Sequence, residues 1–133
     1  MKMLCSLLVA TTVLFASAHA PAAELGARSS SAAGVTVKVT PKDFSPQAAV
    51  WQFAVVLDTH SQDLRDDLVK SAALVDARGA RHAPLAWEGA PPGGHHRAGV
   101  LRFKGLGTQA GALELQIQRP GEQAPRMFRW QLK

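Results

Sequence analysis

The sequence has almost no cysteine. Cys5 is the single cysteine among 133 residues, and it lies inside an apolar leader at the start of the chain. Once that leader is removed, no disulfide can form and no metal site can use a thiolate ligand. An ordinary hydrophobic core must therefore stabilise the fold, and the remaining ~110 residues are enough for one domain.

Clustered positive charge is also missing. The formal net charge is +5, but the basic residues are scattered, and Arg119, Arg126 and Arg129 come nearest to a patch. A nucleic-acid-binding surface needs a stripe of Lys and Arg with exposed aromatic residues. The sequence shows no such stripe, so we predict no nucleic-acid partner.

Long apolar runs are confined to the leader. Lys2 precedes an apolar run over residues 3–16, and small residues follow as far as Ala22. The run is shorter than the ~20 residues that a transmembrane helix needs, and its pattern is that of a secretory signal peptide. We predict a signal peptide over residues 1–22, no transmembrane segment after its cleavage, and a periplasmic or secreted protein.

The rest of the chain reads as a polar segment followed by strands. Residues 23–34 (AELGARSSSAAG) have no hydrophobic period, which predicts a flexible tether. In AVWQFAVVLDTH both faces are apolar, which favours a central strand. Residues 113–117 and 128–132 alternate apolar and polar side chains across a Pro-Gly turn, which predicts an antiparallel hairpin.

Two further segments complete the predicted fold. Gly79 can take a positive φ, so a hairpin is expected at Arg78-Gly79. SQDLRDDLVKSA predicts one or two helical turns with Ser61 or Asp63 as N-cap and with solvated acidic side chains. Regularly spaced short strands are typical of sandwiches. We therefore predict an all-β fold, a single immunoglobulin-like β-sandwich of about seven strands over residues 35–133, with a short helical turn near residues 62–70.

Three histidines lie where chemistry is plausible. His60 ends the central strand in LDTHS, and His95 and His96 lie in the loop PPGGHHR. Loops of a sandwich cluster at its two ends, so the two segments can meet. Neutral imidazole suits zinc or copper, and Asp58 can add a carboxylate. The residues predict a metal site built from His60, His95, His96 and Asp58, with a copper or zinc ion.

Geometry limits this prediction. Neighbouring residues of an extended chain point to opposite sides, so His95 and His96 share an ion only if the backbone bends between them. A ligand ring also needs a carboxylate on its far nitrogen, for which Asp58 or Glu88 could serve. Converging ring nitrogens would support the metal site, and rings bonded to Asp58 or to carbonyls would support a structural role.

The structural alternative treats the same residues as a polar cluster that fixes the loop. In that interpretation Arg97 pairs with Glu88 or an aspartate, Trp87 belongs to the core or covers the loop, and Ser61 caps the helical turn. The histidines then serve the fold rather than a ligand.

A hydrolase is not expected. Asp58, His60 and Ser61 are the residue types of a catalytic triad, but they lie too close in sequence to face one another. No nucleophile elbow is recognisable either. We therefore predict that the protein is not an enzyme.

The motifs LDTHSQDL, WEGAPPGGHHRAGVLRF and FRWQL resemble a family of small exported or membrane-anchored prokaryotic proteins of unassigned function. The resemblance spans residues 35–132 and implies a one-domain, immunoglobulin-like fold outside the cytoplasm. It implies no activity.

The sequence thus predicts an exported, non-catalytic binding protein that binds copper or zinc through its loop histidines. The alternative is an envelope interaction or adaptor domain that docks an unknown protein partner and in which the histidines are structural.

Overall fold

The computed structural model describes residues 25–133, so the predicted signal peptide lies outside the described residues. No helix within residues 25–133 is long and apolar enough to span a membrane. Nine strands and one short helix form the described part. In chain order they are β1 (Arg28–Ala32), β2 (Val35–Asp43), β3 (Val50–Thr59), α1 (Leu68–Ser71), β4 (Ala72–Val75), β5 (Arg81–His82), β6 (Ala86–Gly89), β7 (His96–Lys104), β8 (Gly111–Ile117) and β9 (Arg126–Leu132).

The strands form two antiparallel sheets. One sheet has the order β1-β2-β3-β7-β6, and the other has the order β5-β4-β8-β9. Without β1, this is the strand order of immunoglobulin-type sandwiches, in which A-B-E-D faces C′-C-F-G. The predicted all-β sandwich is confirmed, although it has nine strands in the described residues rather than about seven.

The core lies between the two sheets because apolar side chains alternate along each inner face. Alternate residues of β3 from Trp51 to Leu57 are fully buried. Phe53 packs against Phe103 of its own sheet and Trp130 of the opposite sheet, with ring centroids 5.8 and 5.7 Å apart. β3 is the middle strand of its sheet, as its two apolar faces predicted.

Both predicted hairpins are confirmed. β8 pairs with β9, with Leu113 opposite Trp130 and Leu115 opposite Phe128. β4 pairs with the two-residue edge strand β5, and Gly79 in the turn between them has φ of 84°.

The flexible tether predicted over residues 23–34 is wrong for its second half, because β1 pairs with β2 along its whole length. Ala33 and Gly34 join the two strands with φ of 49° and 76°. Two positive φ angles in a two-residue loop are what a type I′ hairpin requires. Arg126 also holds this hairpin from the other sheet: its guanidinium donates 2.8 Å hydrogen bonds to the carbonyls of Ser30, Ala32 and Val35.

The predicted helical turn is shorter and later than expected. α1 begins only at Leu68, and its N-cap is Asp67 rather than Ser61 or Asp63. Residues 62–67 are not helical, because Leu64 exchanges backbone hydrogen bonds with the loop: its N–H donates to Gly94 and its carbonyl accepts from Gly93.

Candidate functional site

The two motif segments meet at one end of the sandwich. β3 and β7 pair so that Asp58 lies directly opposite His96. One residue further on, the N–H of Thr59 donates to the carbonyl of His95 over 3.0 Å. The expectation that LDTHS and PPGGHHR come together is confirmed, and we call this region the histidine end.

Asp58 and His96 form an exposed pair on the outer surface of the five-stranded sheet. Nδ1 of His96 lies 2.5 Å from Oδ1 of Asp58, and the two side chains are 65% and 56% exposed. A hydrogen bond from Nδ1–H to a carboxylate sets the tautomer of a neutral ring and leaves the lone pair on Nε2. Asp58 therefore holds a histidine ring, and its Oδ1 is engaged in that contact.

His60 and His95 are also exposed, but they do not join this pair in one cluster. His95 lies close enough to Asp63 to contribute to the lowering of its pKa, whereas His96 contacts Asp58. Within residues 25–133, no group of three or more His, Cys, Asp and Glu side chains is placed to hold a metal ion. The fold brings the four predicted ligands to one end of the sandwich but not to one common centre.

Arg97 is the buried centre of the histidine end. It is 1% exposed. Its guanidinium donates to the carbonyls of Leu64, Asp66 and Ala90 over 3.4, 2.7 and 3.3 Å. The expected pairing of Arg97 with a carboxylate is wrong for the described residues, because Arg97 points inward. Glu88 points outward and pairs instead with Arg102 over 2.6 Å.

Trp87 packs against the core and covers Arg97. The guanidinium carbon lies 5.6 Å from the indole centroid, and the indole N–H donates to the carbonyl of Ala90 over 2.9 Å. A Cβ at Gly99 would lie 2.6 Å from Cζ2 of Trp87. The spacing W-E-G…R-x-G is therefore a packing requirement, since only glycine at position 99 leaves room for the indole.

Asp63 fixes the glycines of the loop. Its Oδ1 accepts the N–H of Gly94 over 2.7 Å, and its Oδ2 accepts Nε of Arg65 over 2.6 Å. These hydrogen bonds, with that from Gly94 first, hold the pKa of Asp63 below its usual range. Gly93 and Gly94 both have positive φ, 118° and 78°, which favours glycine there.

A buried ionic network was not predicted. Asp66 is fully buried rather than solvated, and Arg119 binds both of its carboxylate oxygens over 3.0 Å. Glu122 then bridges Arg119 and Arg126, at 3.2 and 2.8 Å. The three arginines that come nearest to a basic patch in the sequence do not form one, because Arg119 and Arg126 are buried and Arg129 pairs with Glu114. Residues 64, 66 and 68 are buried and residues 65 and 67 are exposed, an alternation that is typical of an extended chain. Because residue 66 is an aspartate, the sequence shows no hydrophobic alternation that would have revealed it.

The outer surface of the five-stranded sheet has an apolar centre beside the Asp58–His96 pair. In the register, Val56 lies opposite Ala98, and Ala54 lies opposite Val100. Ala98 is exposed and the other three are half-buried. We call this surface the histidine face: the apolar side chains, the Asp58–His96 pair above them, and the charged side chains that flank them on β2 and β6. Its members are Ala54, Val56, Ala98, Val100, Asp58, His96, Lys38 and Glu88.

Comparisons with models of known protein families, with functionally curated proteins and with solved structures find no significant match to this chain.

Proposed function

We propose that this protein is an exported, non-catalytic interaction domain and that the histidine face is its partner-binding surface. The observation that carries the proposal is the pattern of that face: apolar side chains in the centre of the sheet and polar or charged side chains around them. Protein interfaces share this arrangement of an apolar core within a polar rim.

The rigid histidine end supports the proposal. Arg97 ties three backbone carbonyls together, and Asp63 and Leu64 fix the glycine loop. A surface that is ordered before binding loses less conformational entropy on association. Most side chains of the motif are therefore used to build the histidine end, while Asp58 and His96 remain exposed on the histidine face.

The hydrogen bond between Asp58 and His96 also agrees with a structural role for that histidine, because it joins the side chains of the last residue pair in the β3–β7 register. Export is supported by the leader pattern of residues 1–22.

The test is complex formation in the native cells. Val56→Lys places a charge in the apolar centre of the histidine face. Met127→Lys is the matched control, since Met127 is 62% exposed and lies on the outer surface of the other sheet. Native electrophoresis of gentle extracts should show the wild type and Met127→Lys in a larger complex and Val56→Lys outside it. Equal migration of all three would contradict the proposal.

A second candidate function is binding of a copper or zinc ion, and the Asp58–His96 bond favours it as well. A carboxylate on Nδ1 leaves Nε2 of a neutral ring free to ligate a metal ion. Since no group of three ligands is in place within residues 25–133, such an ion would take one or two imidazoles, with water completing its coordination.

Titration of the purified protein with Zn(II) and Cu(II) tests this candidate. We expect His96→Ala to abolish binding and Asp58→Asn to weaken it by about 10-fold, the usual effect of losing a carboxylate behind a ligand ring. His82→Ala is the control, because His82 lies in β5 of the other sheet and has its own carboxylate partner, Asp76. Affinity unchanged by His96→Ala would eliminate this candidate.

A further inference from the structure

We propose that residues 25–32 exchange between two copies of this chain, so that β1 of each copy pairs with β2 of the other in a strand-swapped dimer. The partner is a second copy because the groove that receives the strand is filled, within one chain, by the same sequence. The inference goes beyond the proposed function, since it does not use the apolar centre of the histidine face.

Residues 25–32, which we call the strap, lie between the two sheets at one side of the sandwich. On one side of the strap, β1 pairs with β2 along its whole length. On the other side, Trp130 and Arg126 of β9 donate hydrogen bonds of 2.8 Å to the carbonyls of residues 26, 30 and 32. Without the strap, β2 and β9 would both be edge strands. The strap therefore fills a groove between β2 and β9.

The groove binds the strap mainly through its backbone. The side chains of β1 are exposed except for that of Ser30, which is half-buried. The hydrogen bonds from Trp130 and Arg126 are accepted by main-chain carbonyls. Leu25 adds an apolar contact, because it packs against the core at the start of the strap. A strap from a second copy has the same backbone and the same Leu25, so it makes each of these contacts in the same register.

The turn that joins the strap to β2 favours the exchange. Ala33 and Gly34 reverse the chain within two residues, with φ of 49° and 76°. Alanine is disfavoured at positive φ. When the turn extends, β1 and β2 become one continuous strand and Ala33 is released from this conformation. Short, strained connections promote exchange of strands between copies, because the closed and the exchanged forms otherwise share their contacts.

Exchange requires the strap to leave its groove before it enters that of the second copy. Segments with few buried apolar contacts open more readily than core strands, and Leu25 is the apolar contact of the strap. We therefore expect the dimer to form in concentrated protein under mildly destabilising conditions. It should persist for a time after dilution, because its dissociation needs the same opening.

Substitutions at Ala33 test the exchange in both directions. Ala33→Gly relieves the strain of the closed turn, so it should weaken the dimer by at least about 10-fold, since each dimer contains two such turns. Ala33→Pro fixes φ near about −65° and cannot form the closed turn, so it should give mainly dimer. Ala27→Gly, which lies in the strap outside the turn, is the control and should match the wild type. Sedimentation velocity after incubation at millimolar concentration measures the dimer fraction.

A cysteine pair identifies which copy fills the groove. Ser31 and Thr36 lie opposite each other in the β1–β2 register, and their hydroxyl oxygens are 2.8 Å apart. Ser31→Cys with Thr36→Cys should therefore form a disulfide, and Cys5→Ser removes the other cysteine of the chain. After oxidation, denaturing electrophoresis without reductant should show a covalent dimer from the dimer fraction and a single chain from the monomer fraction. Reductant should convert both to single chains.

Two results would overturn the exchange: a wild type that stays monomeric at millimolar concentration, or a dimer whose cysteine pairs are oxidised within each chain. Val56→Lys should leave the swapped dimer unchanged, because Val56 lies outside the strap, the turn and the groove. A dimer with disulfides within each chain that is lost in Val56→Lys would belong to the histidine face instead. Failure of this inference is thus distinguishable from failure of the proposed function.

Discussion

Arg97 lies at the centre of the histidine end and carries a charge that no carboxylate of the described residues neutralises. Three carbonyl oxygens and the face of Trp87 take the place of a counter-ion. A planar guanidinium suits this site because it spreads its donors over several acceptors and stacks on an aromatic ring. Arg97 thereby joins the segment after β3 to the loop before β7.

Replacement of Arg97 tests this role. Arg97→Ala leaves the carbonyls of Leu64, Asp66 and Ala90 without their donor and leaves a cavity beneath Trp87, so we expect a loss of about 3 kcal/mol or more in the free energy of unfolding. Arg97→Lys should recover only part of this loss, since an ammonium cannot reach all three oxygens.

Urea denaturation provides the measurement, with Arg102→Ala as control. Arg102 is on the same strand, but its pair with Glu88 is exposed, and exposed pairs contribute about 0–1 kcal/mol. Equal midpoints for Arg97→Ala and Arg102→Ala would contradict a central role for Arg97.

For individual residues, the sequence identified the important positions more reliably than it identified the contacts that their side chains make. The motif placed Trp87, Arg97 and the glycines together, and the structure assigns each of them a packing or hydrogen-bonding role. The pairing predicted for Arg97 was wrong because alternate side chains of a strand point to opposite faces of the sheet, and this alternation directs Arg97 into the protein. Arg97 is one residue from His96 and points inward, whereas Glu88 and Arg102 point outward.

Among the elements, β1 is a strand that the sequence could not predict. The one apolar side chain of RSSSA belongs to Ala32, which is exposed, and strand prediction relies on hydrophobic alternation. β1 is ordered instead by the turn at Ala33-Gly34 and by Arg126, which is 91 to 96 residues away from its acceptors in the chain. In contrast, the alternating apolar residues of β3, β8 and β9 were sufficient to predict those strands.

The turn before β2 offers a stabilising substitution. Ala33 has a positive φ, a conformation that disfavours alanine by about 1–2 kcal/mol and that asparagine adopts more readily. We expect Ala33→Asn to raise the free energy of unfolding by about 0.5–1 kcal/mol. Thermal denaturation measures the change, and the exposed Ala27 provides the control through Ala27→Asn. A lower melting temperature for Ala33→Asn than for the wild type would contradict this account of the turn.

Arg126 should determine how strongly the backbone amides of β1 are protected from hydrogen exchange. Arg126→Gln removes the donors that hold β1 and the start of β2 against the other sheet. The amides of residues 28–32 should then exchange with solvent at least about 10-fold faster relative to those of β3, because local opening becomes easier. Arg129→Gln, three residues further on and exposed, should leave that ratio unchanged. Hydrogen exchange followed by mass spectrometry or NMR measures it, and unchanged protection in Arg126→Gln would show that the turn alone orders β1.

At the scale of the whole molecule, the buried ionic network predicts that the folded state loses stability at acidic pH. Hydrogen bonds from Arg126 hold the pKa of Glu122 below its ordinary value of 4.5, and hydrogen bonds also lower the pKa of Asp63, Asp76 and Glu114. A carboxyl whose pKa is lowered by folding stabilises the protein above its unfolded pKa, and this stabilisation is lost as the pH falls through the folded pKa.

Glu122→Gln isolates one of these contributions. At about pH 7 the variant should be less stable than the wild type, and the difference should shrink as the pH falls below about 4.5, where the wild-type carboxylate becomes protonated. Chemical denaturation over this pH range measures the difference. A stability difference that stays constant down to about pH 2 would contradict the assignment.

The central claim at the scale of the molecule is that the five-stranded sheet meets the partner with its outer surface. Photo-crosslinking in the native cells tests it most directly, with a photoreactive side chain in place of Val56 or, on the opposite sheet, of Met127. We predict a crosslinked product from position 56 and none above background from position 127. Crosslinking from position 127 alone, or from neither position, would contradict the account.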